Sequence, residues 1–279
     1  MAIPIINNWR NYFADENEGL GSSYERIVLN NLLRRIVKEY EISTVLEAPC
    51  FGFTGISGIN SMQLAFDGLK VNLVDRKSER IVMIEKLWQE CELPVEIHHS
   101  ENFDYLPFED NSFDLSWNFS AIWFVKDLDS FLKEVSRTTS KVVLIIVPNR
   151  FGLGYLWQVL IQDKNLKGRY RPEHIRFAKF NGVLNKLGWS MKEENYIDAP
   201  PWPDIGMKKE ELLKKIGFKF LYDRIASKKS ERISIIDYYR GNDDDFPNRM
   251  MKHYWFEKIS PRFLKMFWAH HHYYLYVRK

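Results

Sequence analysis

The sequence predicts an α/β fold built around a mostly parallel sheet, and two observations carry that prediction. Short runs of apolar and β-branched residues alternate with longer segments whose apolar positions recur at helical spacing. The alternation of helix and strand continues through the first half of the chain. Because strand–helix–strand units join parallel strands through right-handed crossovers, we expect one sheet with helices packed against it.

The helices are predicted from apolar spacing and from residues that begin or end a helix. In residues 24–40 the apolar positions include Ile27 and Leu32, and the preceding Ser22 and Ser23 can cap the helix. The other predicted helices cover residues 57–69, 78–91, 128–138 and 174–187.

The strands are predicted from short apolar runs that are rich in β-branched residues. Residues 44–48 read TVLEA, and residues 141–149 read KVVLIIVPN. The predicted strands cover residues 44–48, 70–75, 95–99, 112–120, 141–149, 189–197 and 270–279. The last of them alternates less cleanly than the others but is rich in residues that favour strands.

Composition excludes several classes of protein. The chain has 279 residues, of which 45% are hydrophobic and 28% are charged, so it can bury a core and is not disordered as a whole. The longest clean apolar run, residues 142–147, is far shorter than the roughly 18 residues of a membrane span, and the first residues lack a signal-peptide pattern. Cys50 and Cys91 are too few for a disulfide framework or a four-ligand zinc site. We therefore expect a reduced, cytoplasmic protein.

Charge is distributed unevenly along the chain. Residues 1–150 carry a net charge of −7 and residues 151–279 a net charge of +10. An anionic partner for the second half is compatible with this asymmetry. Charges scattered over solvated helix faces are compatible with it too, since no run of five or more basic residues occurs.

The first two loops at one edge of the predicted sheet suit a nucleoside ligand. Parallel sheets bind ligands at the carboxyl ends of their strands, and the first such loop holds Glu47, Gly52 and Gly55. Glycines allow close approach of the backbone, and amides at a helix start attract an anion. Asp75 ends the second strand, where a carboxylate can accept two hydrogen bonds from a ribose diol. The structural alternatives are a tight turn for the first loop and a helix-capping role for Asp75. Because both loops suit the same ligand, these alternatives are disfavoured.

The next two loops add candidate ligand contacts. Asn102, Phe103 and Asp104 follow the third strand, where an amide or carboxylate beside an aromatic ring can hold and stack an adenine. Asn118 and Ser120 end the fourth strand and can orient a substrate.

Four segments of the chain resemble class I S-adenosylmethionine-dependent methyltransferases, of the small-molecule group called type 11. They read VLEAPCFGFTG, KVNLVDR, LPFEDNSFDLSWNFSAIWFV and EVSRTTSKVVLIIVPN, and the resemblance covers about residues 24–190. It implies a Rossmann-like, seven-stranded, mostly parallel sheet with helices on both faces. The last strand would be antiparallel and lie beside the fifth strand or between the fifth and sixth, after an inserted helical cap. The implied cofactor is S-adenosyl-L-methionine.

The resemblance also implies roles for individual residues. Glu47 and the glycines at 52 and 55 would cradle the methionine part of the cofactor. Asp75 would bind the ribose hydroxyls, and Arg76 belongs to the same cofactor-binding segment. Asn102 and Phe103, with Asp104 as a register alternative, fall at the adenine position, and the segment from Asn118 to Ser120 lines the reaction centre.

The first loop departs from the family pattern of an acidic residue followed by glycines at alternate positions. Aligned on Glu47, the three glycine positions hold Pro49, Phe51 and Phe53. Either the turn is rebuilt with its glycines displaced, or the affinity for the cofactor is reduced or lost. The acidic positions and the family-like third and fourth segments favour a rebuilt turn.

Four parts are predicted along the chain. Residues 1–40 form N-terminal helices that can cover the site, in which Trp9 could close over the cofactor, and residues 41–197 form the cofactor-binding core. Residues 198–269 form an inserted cap or interaction region, and residues 270–279 form the final strand. A lid or packing role for the insertion is favoured over a dimer surface or a surface for anionic lipid or RNA.

The sequence is interpreted as an enzyme that transfers a methyl group to a small-molecule or lipid-like acceptor. The basic second half is compatible with an anionic acceptor. His174 is the candidate general base, and bracing of a helix is the alternative role for this residue. No metal site is predicted, because neighbouring residues among the histidines at 270–272 point to opposite faces of a strand. Nucleic acid is disfavoured as a partner, and a homodimer is compatible with the sequence. The rival functions are an RNA or protein methyltransferase and a methyltransferase-like binding or scaffold protein without activity.

Overall fold

A computed structural model describes residues 5–51, 55–160, 171–202 and 232–279. Within these residues, strands form one sheet in the order β3-β2-β1-β4-β5-β7-β6. They are β1 (Thr44–Glu47), β2 (Lys70–Asp75), β3 (Glu96–His99), β4 (Phe113–Phe119), β5 (Thr139–Pro148), β6 (Trp189–Ile197) and β7 (His271–Arg278). The first five strands in this spatial order, from β3 to β5, pair in parallel. Strand β7 pairs antiparallel with both β5 and β6. The predicted Rossmann-like seven-stranded sheet is therefore confirmed, with its last strand between the fifth and the sixth.

The helices pack on both faces of this sheet. They are α1 (Ile5–Asp15), α2 (Gly19–Tyr40), α3 (Met62–Phe66), α4 (Ser78–Glu90), α5 (Leu128–Thr138), α6 (Leu153–Leu160), α7 (Phe177–Lys186), α8 (Ile235–Tyr239), α9 (Phe246–Met251), α10 (Trp255–Ile259) and α11 (Arg262–Trp268). A short 3₁₀ turn, Ile122–Phe124, follows β4. In the described part of the chain, no helix is both long and apolar enough to cross a membrane.

Alternation along the strands divides the core into two layers. Val45 belongs to the cluster that packs against α2, α3, α4, α8 and α9, whereas the adjacent Leu46 belongs to the cluster that packs against α5 and α7. The same switch occurs between Leu144 and Ile145 of β5. Neighbouring strand residues point to opposite faces, so an apolar run that is buried on both faces forms the centre of the fold.

The structure differs from the sequence prediction at several helix boundaries. Helix α2 begins at Gly19, so that Ser22 and Ser23 lie within the helix instead of capping it. Helix α3 spans only Met62–Phe66 of the predicted segment 57–69. Helix α7 begins at Phe177, which leaves His174 in the preceding turn. Apolar spacing continues through such turns because they are also buried, so spacing alone does not show where the helical hydrogen bonds start.

Residues 232–269 pack onto the sheet through α2. Ile235, Ile236 and Phe246 are buried in the same cluster as the apolar face of α2. A hydrogen bond from Glu18 N to Ile233 O (3.0 Å) ties this part of the chain to the start of α2. The helices of the second half therefore form part of one apolar core with the N-terminal helices.

Candidate functional site

The candidate site lies at the edge where the parallel strands have their carboxyl ends. Glu47 ends β1 and pairs in register with Leu73 of β2 and Trp117 of β4. The order of the strands reverses between β1 and β4, which is the switch point at which such sheets bind ligands. Because β7 is antiparallel, its first residue, His271, lies opposite Pro148 at the same edge.

Glu47 is fully buried and both of its carboxylate oxygens accept hydrogen bonds. Asn60 Nδ2 donates to Oε1 (2.9 Å) and Ser61 Oγ donates to Oε2 (2.6 Å). Burial raises the pKa of Glu47 to about 7, although the hydrogen bonds from Ser61 and Asn60 lower it. The carboxyl group is therefore held in a fixed orientation by the segment that leads into α3, and it ionises near neutral pH.

Asp75 ends β2 and is also fully buried. Arg80 of α4 binds it through two hydrogen bonds, from Nε to Oδ2 and from Nη2 to Oδ1 (2.6 Å each). The backbone N–H of Lys77 donates to Oδ1 (2.8 Å), and Cys50 Sγ lies 3.7 Å from Oδ2. The predicted ribose-binding carboxylate is thus at its expected place, and internal donors satisfy it.

Phe51 lies beside this ion pair. Its ring is 4.6 Å from the guanidinium carbon of Arg80 and 5.3 Å from that of Arg76. Its other neighbours are the rings of Phe103 (6.4 Å) and Phe124 (5.2 Å). Phe51 therefore occupies the space between the ends of β1 and β2 and the loop that was predicted to hold an adenine.

Trp9 of α1 also lies against Arg80. The Trp9 side chain is buried, and the Arg80 guanidinium carbon lies 5.6 Å from its ring centre. The N-terminal helix thus reaches the Asp75 corner of the site, as expected for a segment that covers a ligand. At this corner the helix contacts Arg80 of the protein itself.

Gly55 makes room for the carboxylate of Glu18, the residue that immediately precedes α2. Glu18 Oε1 accepts a hydrogen bond from the Ile56 N–H (2.9 Å), and a Cβ added at Gly55 would lie 2.0 Å from this oxygen. Gly55 has a φ of +59°, which favours glycine. The turn that was predicted to bind an anionic part of a ligand therefore binds the carboxylate of Glu18.

A buried arginine joins this glutamate to the first loop. Arg26 of α2 pairs with Glu18 (2.7 Å) and donates to the Ile56 carbonyl (2.8 Å) and to Asn60 Oδ1. Both charged side chains are almost fully buried. Sequence reasoning missed this pair, because Glu18 and Arg26 are eight residues apart, beyond the i,i+3 and i,i+4 spacings at which ion pairs on a helix are predicted.

The end of β4 differs from the two corners described above. Asn118 and Ser120 are buried, and neither Asn118 Oδ1 nor Ser120 Oγ has a hydrogen-bond partner among the described residues. Ser120 has a φ of +49°, in the left-handed region. Buried polar atoms are nearly always paired, so unpartnered ones at a ligand-binding edge mark a place for an external group. The prediction that these residues line a reaction centre fits this geometry and stays a prediction.

The three candidates for the adenine position are placed differently from one another. Phe103 is buried with a φ of +59°, and its N–H donates to Ser100 Oγ (3.2 Å). Asn102 is half-buried and Asp104 is exposed. The structure therefore puts the aromatic ring in the core against Phe51, and it leaves the choice between Asn102 and Asp104 open.

His174 lies in the turn before α7 and contacts the loop after β4. Its Nδ1 is 3.3 Å from the carbonyl oxygen of Ile122, to which it can donate. Burial lowers the pKa of His174 below its ordinary value, so the imidazole is neutral at pH 7. A neutral imidazole next to the β4 loop suits a general base and equally braces the turn, so its catalytic role stays a prediction.

A second buried polar group, which sequence reasoning missed, lies at the β6–β7 end of the same edge. His270 Nδ1 bonds to Asp198 Oδ2 (2.6 Å), and His271 Nδ1 is 3.7 Å from both Asp198 Oδ2 and Glu25 Oε2. Burial raises the pKa of Asp198, and the facing His270 and His271 lower it by more, so that it lies below its ordinary value. The ring of His271 is 4.4 Å from that of Phe119, next to the end of β4.

Some predicted residues lie outside the described part of the chain. Gly52 and Phe53 of the first loop are among them. Cys50 is described and is fully buried, where burial raises its pKa well above the ordinary value. Its thiol stays protonated at neutral pH, in line with the predicted packing role.

Comparison with known proteins agrees with this geometry. Residues 54–147 match the family model described as a methyltransferase domain. The crystal structure of MccD protein superposes with a TM-score of 0.54 at 13% identity, covering 88% of this chain and 96% of that one. A complex between the Haloferax volcanii Trm112 methyltransferase activator and the putative methyltransferase superposes with a TM-score of 0.52 at 12% identity, covering 97% of each chain. The comparison with curated proteins found no match.

At these identities the structural similarity shows a shared fold, which is that of the Rossmann-like methyltransferases. The domain match shows a methyltransferase domain within residues 54–147, and the chain as a whole shares the fold. The resemblance inferred from four sequence segments is thereby confirmed.

The donor set at the site fits S-adenosylmethionine, on one condition. Two buried acids end adjacent strands, and two unpartnered polar atoms end the strand at the switch point. This arrangement suits a ligand that has a ribose diol and a charged amino-acid tail. The condition is that Asp75 exchanges Arg80 for ribose and that Phe51 moves from its present place.

Proposed function

We propose that the protein binds S-adenosylmethionine at the carboxyl edge of the sheet and transfers its methyl group. The observation that carries this proposal is a pair of buried atoms at the strand switch point, Asn118 Oδ1 and Ser120 Oγ, for which the described part of the chain supplies no hydrogen-bond partner. The domain match and the shared fold support it. When bound, the cofactor supplies an electrophilic methyl group for an in-line displacement.

The chain's own residues would hold the ligand and exclude water. Asp75 accepts from the ribose hydroxyls once Arg80 releases it, and Glu47 anchors the first loop through Asn60 and Ser61. Asn118 and Ser120 face the reacting atoms. Since methyl transfer depends mainly on alignment of the two reacting atoms, fixed side chains in a buried site are the main contribution of the protein.

The proposed acceptor is a small or lipid-like molecule. Asn118 and Ser120 are almost inaccessible, and the helices of residues 232–269 pack against the N-terminal helices beside the same edge. A covered site suits a small acceptor better than a folded polymer. In this proposal residues 1–40 and 198–269 cover the core formed by residues 41–197 and 270–279, and His174 removes a proton where the acceptor is a hydroxyl group.

Calorimetric titration with S-adenosylmethionine tests the cofactor site. We expect micromolar binding by the wild type and a loss of roughly tenfold or more in Asp75→Asn, because a hydrogen bond to a charged group contributes about 1.5–3 kcal/mol. Asp67→Asn is the matched control, because Asp67 has the same two-bond pairing with Arg34 but lies on the surface at the end of α3. Equal affinities in the two variants would place the cofactor elsewhere.

A second candidate function is that of a methyltransferase-like binding protein without activity. The specific observation in its favour is that Arg80 and the Lys77 N–H already satisfy Asp75 while Phe51 fills the adjoining space. Absence of heat at millimolar S-adenosylmethionine, in the wild type and in Phe51→Ala, would favour this function over the enzyme.

A further inference from the structure

Three separate parts of the chain bring acidic and histidine side chains together at the β6–β7 end of the sheet edge. Glu25 comes from α2, Asp198 directly follows β6, and His270 directly precedes β7. One potential ligand atom from each lies within 4.8 Å of the others. Donor atoms at about 2.0–2.2 Å from one ion lie at most about 4.4 Å apart, so small rotations of these side chains would bring all three onto one ion.

The buried acids of this cluster favour a compensating cation. Glu25 and Asp198 are 4% and 2% exposed, and Glu257 of α10 is buried beside them, with hydrogen bonds from Tyr24 Oη (2.9 Å) and the Ala199 N–H (3.0 Å). Burial of several carboxylates together is costly unless a positive charge compensates them. The imidazoles of His270 and His271 face these carboxylates, and Arg26 and Lys265 interact electrostatically with Glu25 and Glu257.

Asp198 shows two further features of a ligand. Its Oδ1 atom is buried and has no hydrogen-bond partner among the described residues, although Oδ2 bonds to His270. Its backbone has a φ of +64°, which is uncommon for a residue other than glycine and which positions the side chain at the β6–β7 junction. A buried, unpartnered carboxylate oxygen next to an imidazole is an incomplete coordination set.

We propose that Glu25, Asp198 and His270 bind a divalent first-row transition-metal ion. A set of carboxylate oxygens and one imidazole nitrogen suits Zn²⁺, Co²⁺, Mn²⁺ or Fe²⁺ better than Ca²⁺, which prefers oxygen alone. Three protein ligands leave at least one coordination position for another group. This site is separate from the Asp75 corner, and the proposal does not depend on cofactor binding there.

The prediction of no metal site was argued in part from the adjacent histidines at 270–272, and it stays a prediction. Neighbouring strand residues do point to opposite faces, and His272 accordingly bonds to Glu194. The proposed set takes a single histidine from this run and completes it with acids that are distant in the chain.

Cobalt titration of the untagged, full-length chain tests the site after chelator treatment and dialysis. We expect absorption bands of protein-bound Co²⁺ that saturate at one ion per chain, and Zn²⁺ that displaces the cobalt. Asp198→Asn and Glu25→Gln should each weaken binding by roughly tenfold or more. Two variants are used because one of them could fail to fold, and circular dichroism checks each. Asp243→Asn, which alters a partly exposed carboxylate paired with Arg249 away from this cluster, should bind like the wild type.

Two results would overturn the proposal. The first is no saturable cobalt spectrum in the wild type, in which case protonated histidines compensate the buried acids. The second is binding that is unchanged in both Asp198→Asn and Glu25→Gln, which would place the ion on surface groups. Each readout is spectroscopic, so neither depends on methyl transfer.

Discussion

The two ends of the ligand-binding edge differ in how their buried polar groups are satisfied. At the β1–β2 corner every carboxylate oxygen of Glu47 and Asp75 accepts a hydrogen bond from the protein itself. Towards β4 and β6, Asn118 Oδ1, Ser120 Oγ and Asp198 Oδ1 are buried without partners among the described residues. The first corner is therefore satisfied by the protein itself, whereas the second leaves buried polar atoms at which we propose that external groups bind.

The difference has a consequence for ligand binding. A ligand at the β1–β2 corner must replace existing hydrogen bonds, so only the net difference in free energy contributes to its affinity. A ligand at the β4 or β6 end supplies hydrogen-bond partners to buried atoms that lack them among the described residues, so it removes an existing desolvation cost. For a ligand that contacts both ends, the second end therefore contributes more to the affinity than the corner that holds Glu47 and Asp75.

The largest effect is expected from breaking the buried pair at the first corner. Arg26→Met leaves Glu18 buried without its partner and should lower the unfolding free energy by about 3–5 kcal/mol, measured by urea denaturation. Arg34→Met is the matched control, because Arg34 pairs with Asp67 at the surface and should cost only about 0–1 kcal/mol. Equal losses in the two variants would show that the Arg26 pair has no special role.

A smaller, pH-dependent effect is expected at Glu47. Its pKa is raised from 4.5 to about 7 in the folded protein, so the unfolded chain ionises first as the pH rises. The stability that Glu47 contributes is complete below about pH 4.5 and is lost between about pH 4.5 and 7, by about 3 kcal/mol at most. The unfolding free energy of the wild type should therefore fall across this range relative to that of Glu47→Gln. Parallel pH profiles of the two proteins would contradict the assignment.

The smallest effects compare two buried serines, one at each end. Ser61 Oγ donates to Glu47 and accepts from Trp117 Nε1 (3.1 Å), so Ser61→Ala should cost about 1–3 kcal/mol. Ser120 Oγ has no partner among the described residues, so Ser120→Ala should change stability by less than about 1 kcal/mol. Denaturation of both variants under the same conditions measures the difference, and a larger loss for Ser120→Ala would reverse the comparison.

Local pattern predicted the strands well, because most of them are short apolar runs. Strands β1, β2, β4, β5 and β7 are largely buried, whereas β3 and the middle of β6 are partly exposed. The bounds of β2 and β6 agree with the predicted segments 70–75 and 189–197, and Glu47 and Asp75 lie at the strand ends as expected. The partner of Asp75 could not be predicted in the same way, because a charged residue such as Arg80 in the first turns of a helix usually faces solvent.

The β6–β7 cluster was beyond sequence reasoning for a different reason. Asp198 and His270 are 72 residues apart, and Glu25 lies in the N-terminal helix. Only the antiparallel insertion of β7 between β5 and β6 brings them together. Local periodicity contains no information about such an arrangement, so the signal could have come only from the topology.

A crystal structure with S-adenosylhomocysteine tests the central claim most directly, through the distance between Asp75 and Arg80. The account predicts that the 2.6 Å contacts are broken, that the ribose hydroxyls bond to Asp75, and that Phe51 has left its present position between Arg80 and Phe124. An intact Asp75–Arg80 pair with the nucleoside bound elsewhere, or with none bound at millimolar concentration, would contradict it.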